Sequence, residues 1–179
     1  RVVGWSWYFL STVLDDYSRY IISWRLTTSM RASDVMNTLK DALQSTGLTK
    51  ARVHHKPRLL SDNGPCYISG ELREWLQKQQ MEHTRGAPYH PMTQGKIERY
   101  HLSMKNVVKL EHYYFPWELE KAIADWVEHY NHERYHESLN NVTPADVYYG
   151  RRNDILDQRA IIKSRTLIQR KVQNLQLAG

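Results

Sequence analysis

The chain has 179 residues, of which 41% are hydrophobic and 25% are charged, and its mean hydropathy is -0.69. These values indicate a globular domain, and no apolar run approaches the roughly 18 residues that a membrane-spanning helix needs. No secretory signal is visible at the start. Cys66 is the single cysteine, which excludes a disulfide framework within the chain and favours a reducing compartment. Because residue 1 is Arg rather than Met, we expect the sequence to begin inside a longer protein.

The net charge of +6 is concentrated at the C-terminal end. Residues 151–179 hold seven Lys or Arg against two Asp, whereas residues 1–150 hold 18 bases against 17 acids. A basic segment on a nearly neutral body is typical of a protein that binds nucleic acid through its phosphates. The alternative is a tail that only keeps the protein in solution.

The first half of the chain predicts a hairpin, a helix and a short strand, in that order. Aromatic and β-branched residues alternate over Trp5–Leu26, and a polar break at residues 15–19 predicts a turn between two strands. Apolar residues at helical spacing over 35–43 predict the helix. The run Leu59–Leu60 is short enough for a buried parallel strand.

The second half predicts mostly helices. A helix capped by Ser69 and a strand at Met81–Thr84 precede a loop over 86–95 that is rich in Pro and Gly. Further helices are predicted over 96–110 and 117–132, the second with its apolar residues on one face.

This order of elements predicts an α/β fold in which helices pack on a mixed sheet. We assign residues 1–150 to this body and residues 151–179 to a basic C-terminal tail. Because the helical spacing of the tail is weak, we expect it to form an arm rather than part of the core.

Two acidic residues lie where a metal site would need them. Asp62 follows the predicted buried strand and precedes Asn63–Gly64, Glu98 lies in the first turn of a helix, and thirty-five residues separate the two acids. Carboxylates on rigid elements that converge at one end of a sheet are ligands that Mg²⁺ and Mn²⁺ prefer. On spacing alone, Asp62 could equally be a turn residue and Glu98 a favourable charge at a helix start.

Three segments give these acids a context: LLSDNG, YHPMTQGKIER and, downstream, WVEHYNHERYHESLNNVTPADVYYG. They resemble the catalytic core of bacterial insertion-sequence transposases of the retroviral-integrase type, over about residues 5–150, and the basic tail is also similar. The resemblance implies an RNase H-like fold, flanked by helices, with an Asp, Asp, Glu triad that cleaves and joins DNA strands. Asp62 and Glu98 match the last two acids in motif and in spacing.

The resemblance also implies a first catalytic Asp on a strand that precedes Tyr8–Leu14, and this sequence does not contain that strand. Asp15 and Asp16 lie at the far end of the following strand, so we interpret them as turn and hydrogen-bonding residues. We therefore expect this chain alone to be inactive.

By the same resemblance, two Mg²⁺ or Mn²⁺ ions are expected, one on Asp62 and the other on Glu98, with the first Asp bridging them. Two ions ~3.5–4 Å apart can stabilise an in-line displacement at phosphorus. Water as the nucleophile gives a nicked strand with a free 3′-OH, and attack of that 3′-OH on target DNA gives strand transfer.

Five residues around Glu98 are candidates for contact with DNA: Gln94, Gly95, Lys96, Arg99 and Lys105. Lys105 lies seven residues after Glu98 and so returns to nearly the same helix face, where a cation could hold a phosphate. An ordinary solvated lysine is an equal alternative. Asn63 and His90 are candidates for supporting contacts to the metals or to a phosphate.

The remaining histidines and tryptophans are interpreted as structural. His129, His132 and His136 lack the further ligand that would complete a zinc site. We expect them at a helix end, where Asn131 and Arg134 hydrogen-bond into the core. Most of the six Trp residues are expected in the core.

The primary hypothesis is a DNA transposase or integrase core that works as a homo-oligomer on DNA ends, in the bacterial cytoplasm at the nucleoid and without a membrane partner. The alternative is a catalytically incomplete DNA-binding or assembly module, truncated or domesticated. A plain nuclease that acts on RNA–DNA hybrids is a third hypothesis, but it does not explain the basic tail or the sequence around Glu98.

Overall fold

The structure, a computed structural model, describes residues 2, 4–48, 56–87 and 94–177. The strands within these ranges are β1 Phe9–Leu14, β2 Ile21–Thr27, β3 Leu59–Ser61 and β4 His83–Arg85. The helices described are α1 Ala32–Ser45, α2 Pro65–Ile68, α3 Gly70–Lys78, α4 Gly95–Val108, α5 Pro116–His132, α6 Pro144–Tyr148 and α7 Arg152–Leu177. A 3-10 turn spans Glu137–Leu139.

The first two strands form the antiparallel hairpin that the alternating sequence predicts. Phe9 lies opposite Thr27, and the register continues to the end of β1 with one irregularity near Leu14. The Asp15 carboxylate closes the turn, because it accepts hydrogen bonds from the N–H and the hydroxyl of Ser18 at 2.7 and 2.6 Å. The interpretation of Asp15 as a turn residue is confirmed.

The third and fourth strands pair in parallel, with Leu59 opposite His83 and Ser61 opposite Arg85. The predicted parallel strand is therefore confirmed, although Leu60 is 39% exposed and the strand is not fully buried. In the part of the chain that is described, no ladder joins this pair to the hairpin, so the sheet is divided into two halves. A cavity of about 730 Å³ is lined by every residue of β1 and of β3.

Helices cover the two halves through separate apolar clusters. On the hairpin, Ile21 of β2 forms a cluster with residues of α4 and α5, namely Tyr100, Met104, Val108, Ile123, Val127 and Tyr130. Beside β3, α1 and the two short helices contribute Ala32, Val35, Met36, Leu39, Cys66, Leu72 and Leu76. The apolar face predicted for α5 is confirmed. On α4, Tyr100, Met104 and Val108 are buried.

The end of α5 is fastened to the hairpin by one buried side chain. Asn131 accepts a hydrogen bond from the Ile21 N–H at 2.9 Å and donates one to the Ile21 carbonyl at 3.1 Å. This contact confirms the expectation for Asn131. The guanidinium of Arg134 instead lies over the rings of Trp126 and Tyr130, 5.7 and 5.9 Å from their centroids.

The basic tail folds as the 26-residue helix α7. Its first turn packs on the body through Ile155 and Leu156, which contact a small cluster around Val142. Arg159 donates a hydrogen bond to the carbonyl of Asn141 at 2.7 Å. No described residue of this helix is buried. The turns after Arg159 are therefore exposed, and a separate arm stays a prediction.

The expectation of a mostly buried set of tryptophans is wrong for three of them. Trp5, Trp7 and Trp117 are 50%, 64% and 63% exposed. Trp5 and Trp7 precede β1, outside the hairpin, and Trp117 lies in the first turn of α5, away from its apolar face. Across the described ranges, none of the helices combines the length and the hydropathy that a membrane crossing requires.

Candidate active site

Asp62 is the first residue after β3, and a tight turn fixes its side chain. Its Oδ1 accepts a hydrogen bond from the Gly64 N–H at 2.8 Å, and Pro65 then begins α2. The residue is exposed, and its Oδ2 has no hydrogen-bond partner among the described residues. One carboxylate oxygen is thus held by the turn while the other is available to a ligand.

Contacts from β4 and the residue after it hold the same turn from the other side. The Gly86 N–H donates to the Ser61 carbonyl at 2.8 Å, and the Asn63 side-chain amide donates to the Gly86 carbonyl at 2.8 Å. The Ser61 hydroxyl lies 2.9 Å from Nε2 of His83. Burial, followed by the charge of Arg85, lowers the pKa of His83, which favours the neutral ring.

Glu98 lies in the first turn of α4, where its N–H donates to the Gln94 carbonyl at 3.0 Å. Its side chain is exposed and makes no hydrogen bond or ion pair with any other described residue. Asp62 and Glu98 line the same cavity, the one between the two halves of the sheet. The two acids that the sequence singles out therefore line one cavity, although they belong to separate elements of the fold.

The donor set at this cavity fits a hard divalent cation. Mg²⁺ prefers oxygen ligands, keeps several waters and is commonly bound by one or two carboxylates together with substrate phosphates. Asp15 and Asp16 also line the cavity. Within the described ranges, however, no three His, Cys, Asp or Glu residues are grouped closely enough to hold a metal ion. Asp62 and Glu98 are therefore candidate ligands for part of such a site.

The residues predicted to contact DNA differ in their exposure and in their hydrogen-bond partners. The Lys96 ammonium lies 2.8 Å from a carboxylate oxygen and from the carbonyl oxygen of Asp16, so it joins the hairpin turn to the start of α4. Arg99 and Lys105 are exposed, and Gly95 begins α4. Nε2 of Gln94 is buried without a hydrogen-bond partner in the described structure. His90 lies outside the described residues.

Two further residues, which the sequence pattern did not indicate, also line the cavity. His101 lies three residues after Glu98, with Nε2 3.3 Å from the hydroxyl of Thr12. Burial, followed by the charge of Lys105, lowers the pKa of His101. Tyr67 lies beyond the Asp62 turn, and burial raises the pKa of its hydroxyl to about 12. The i, i+3 spacing from Glu98 was the available signal for His101.

Gly64→Ala is expected to weaken divalent-cation binding without unfolding the chain. A Cβ at this position would lie 3.0 Å from Oδ1 of Asp62, so the added methyl group displaces the carboxylate. We expect about a 10-fold loss of Mn²⁺ affinity, which is typical when the support of a metal ligand is altered. Titration with Mn²⁺ by electron paramagnetic resonance measures it.

Gly70→Ala is the matched control, because Gly70 begins α3 and a methyl group there would meet no other segment of the chain within 4 Å. Its Mn²⁺ affinity should equal that of the unsubstituted chain. Equal affinity in Gly64→Ala would contradict the role assigned to this turn.

Two family models and several curated proteins match this chain in sequence. One model of the integrase core domain matches residues 1–91, and a second model of the integrase core domain matches residues 79–144. The Gag-Pro-Pol polyprotein of Simian retrovirus SRV-1 is 30% identical over 101 residues, and that of Mouse mammary tumor virus (strain BR6) is 27% identical over 115 residues. These matches cover 56% and 62% of this chain but 5% and 6% of the polyproteins.

Solved structures show the same fold. The chain of a simian T-cell lymphotropic virus intasome, in complex with the PP2A regulatory subunit B56 gamma, has a TM-score of 0.64 at 21% identity. That match covers 79% of this chain and 48% of the other. The magnesium-bound catalytic core domain of HTLV-2 integrase, in its trimeric form, has a TM-score of 0.60 at 19% identity, over 82% of this chain and 90% of that one.

The predicted fold class, an α/β fold of the RNase H-like type, is confirmed, because the solved neighbours include integrase catalytic cores with that fold. The relatives named above are retroviral, and the bacterial insertion-sequence origin stays a prediction. The first family model alone matches just over half of the sequence. The chain therefore belongs to the integrase core domain family.

Proposed function

We propose that this chain is most of the catalytic core of a DNA transposase or integrase, which cleaves and joins DNA strands with divalent cations bound by Asp62 and Glu98. The observation that carries the proposal is that these two acids, far apart in sequence, line one cavity of an integrase-type fold. The solved neighbours include an intasome and a magnesium complex, which support a DNA substrate and a metal requirement.

Each acid has a distinct role in this proposal. Asp62 presents Oδ2, because Gly64 holds the other carboxylate oxygen, and Glu98 presents its carboxylate from the rigid first turn of α4. Bound Mg²⁺ or Mn²⁺, two ions in the complete site, would activate the attacking oxygen and stabilise the leaving oxygen of an in-line displacement. No side chain acts as a nucleophile, so the protein's contribution is to bind and orient the reacting groups.

We further propose that the third carboxylate of the site is carried by a strand that fills the cavity between the two halves of the sheet. β1 pairs with β2 along one edge, and β3 pairs with β4 along one edge. Among the described residues, the other edge of β1 and the other edge of β3 are unpaired. Unpaired backbone groups along strand edges favour the addition of a strand. Apolar side chains of α1, among them Val35 and Leu39, also line this cavity and could cover one face of the added strand.

The DNA contacts proposed here fall on two surfaces. Arg99 and Lys105 are exposed on α4 near Glu98, whereas Lys96 is paired with Asp16 and would have to exchange that partner for a phosphate. Gln94 and Gly95 lie at the start of the same helix. We propose that residues 151–179 are a separate basic arm, since α7 carries no acid after Asp157.

Self-association completes the proposal. The dimeric and trimeric forms of the HTLV-2 integrase core support a homo-oligomer.

The supporting contacts of Asn63 and His90, and a location at the bacterial nucleoid, stay predictions. A catalytically incomplete assembly module is the alternative, which the absence of a third grouped acid in the described part of the chain keeps open.

A strand-transfer assay on labelled DNA ends with Mn²⁺ tests the proposal. The assay compares this chain with a chain extended at its N-terminus by the coding sequence immediately upstream. The extended chain is expected to join DNA and this chain is not, because two carboxylates alone do not complete the site.

The extended chain is also expected to melt at a higher temperature, because the added strand would pair with both halves of the sheet. If the extended chain binds DNA but never joins it, the assembly module replaces the enzyme. Cleavage of an RNA–DNA hybrid without strand transfer would indicate a plain nuclease.

A further inference from the structure

We propose that His83 is a positioning residue for the Asp62 carboxylate, and that it acts through the hydroxyl of Ser61. The inference rests on the proposed function, because it concerns how the residue assigned to the metal is held. His83 belongs to β4, Ser61 is the last residue of β3, and the two strands are paired in parallel. The sequence separates the two residues by 22 positions, so local pattern gives no sign of the contact.

Two contacts converge on one hydroxyl group. Oγ of Ser61 lies 2.9 Å from Nε2 of His83 and 2.8 Å from the backbone carbonyl oxygen of Asp62. Ser61 is 4% exposed, so bulk water does not replace either partner. A serine hydroxyl has a single proton to donate, and a carbonyl oxygen can only accept. Both contacts therefore form together when Ser61 donates to Asp62 and His83 donates its Nε2 proton to Ser61.

These two hydrogen bonds, called here the His83–Ser61 relay, hold the main-chain carbonyl of Asp62, which lies beyond the strand pairing. The ladder of β3 ends at Ser61, whose carbonyl accepts from the Gly86 N–H, so no strand pairing holds the main-chain carbonyl of Asp62. Gly64 holds one oxygen of the Asp62 carboxylate, and the His83–Ser61 relay holds its main-chain carbonyl. Rotation of the Asp62 carboxylate away from the cavity is opposed at both ends of the residue.

The loss of such outer contacts typically lowers metal affinity or activity by about 10- to 100-fold. In the N-terminally extended chain, Ser61→Ala and His83→Leu are each expected to raise the Mn²⁺ concentration for half-maximal strand transfer by about 10-fold. The double variant should be no worse than either single one, because both substitutions break the same relay. His83→Gln keeps an N–H donor and should recover most of the loss.

His112→Leu is the matched control, because His112 is exposed and lies between α4 and α5, outside the site. Its Mn²⁺ requirement should not change. Ser61→Ala removes a single oxygen atom and keeps the test decisive if His83→Leu does not fold. An unchanged Mn²⁺ requirement in Ser61→Ala, with the extended wild type active, would overturn the proposal.

The tautomer of His83 gives a second readout that needs no catalysis. Nitrogen-15 chemical shifts of the ring in the present chain should show the proton on Nε2, with a change in that signal in Ser61→Ala. A proton on Nδ1 in the neutral ring would overturn the relay. If the extended wild type joins no DNA and Asp62→Asn leaves Mn²⁺ binding unchanged, the proposed function fails and the positioning role fails with it, whatever the tautomer.

Discussion

Asp62→Asn and Glu98→Gln are each expected to lower Mn²⁺-dependent strand transfer by the extended chain more than about 100-fold. This loss exceeds the roughly 10- to 100-fold loss that is typical when a residue that only supports a metal ligand is replaced. Each substitution replaces a metal-binding carboxylate by an amide of nearly the same shape. Both residues are exposed, and the Glu98 side chain has no hydrogen-bond partner among the described residues. The melting temperature should therefore change little. Gel analysis of labelled DNA ends measures the activity, and circular dichroism measures the melting.

Glu71→Gln is the control that separates a metal ligand from a helix-stabilising charge. Glu71 is exposed and lies in the first turn of α3, as Glu98 lies in the first turn of α4. A carboxylate at this place stabilises a helix by about 0.3–1 kcal/mol through the helix dipole. If Glu98→Gln behaved like Glu71→Gln, with small effects on stability and full activity, Glu98 would be no more than such a charge.

Asn131→Ala is expected to lower the free energy of unfolding by about 2–6 kcal/mol. The substitution removes both partners of the Ile21 main chain, and each buried N–H or C=O left unpaired costs about 1–3 kcal/mol. Asn131 and Ile21 are each 3% exposed, so water does not readily replace the lost amide. Urea denaturation followed by circular dichroism measures the change in the present chain.

Asn174→Ala serves as its control, since Asn174 is exposed on α7 and Ala favours helix. No loss of stability is expected there. A loss below about 1 kcal/mol in Asn131→Ala, the typical net value of a single hydrogen bond, would show that water or a rearranged side chain satisfies Ile21.

The parts of the fold that follow from local pattern were predictable. Alternation around a polar break gives the hairpin, and the 3.6-residue spacing of Ile123, Val127 and Tyr130 gives the buried face of α5. The position of Asp62 after a strand and of Glu98 at a helix start also follows from local sequence. Their convergence on one cavity did not, and the resemblance of the flanking segments supplied that expectation.

Contacts between distant residues were beyond the reach of these patterns. The ion pair of Lys96 with Asp16 joins residues 80 positions apart. Lys96, a candidate DNA contact, therefore connects the hairpin turn to the start of α4. The division of the sheet likewise depends on what pairs with the free edges of β1 and β3, which periodicity within each strand does not encode. The exposed Trp117 shows the same limit, because an aromatic residue near a periodic helix face need not belong to it.

The most direct test of the proposed site is the position of Mn²⁺ in crystals of the extended chain, located by anomalous diffraction. We expect anomalous peaks beside Asp62 and Glu98, with the carboxylate oxygens of both residues at roughly 2.0–2.2 Å from the metal, close to the Mg²⁺–oxygen distance. The same map should show a carboxylate from the added strand between them. Mn²⁺ bound elsewhere, with neither Asp62 nor Glu98 as a ligand, would contradict the proposed site.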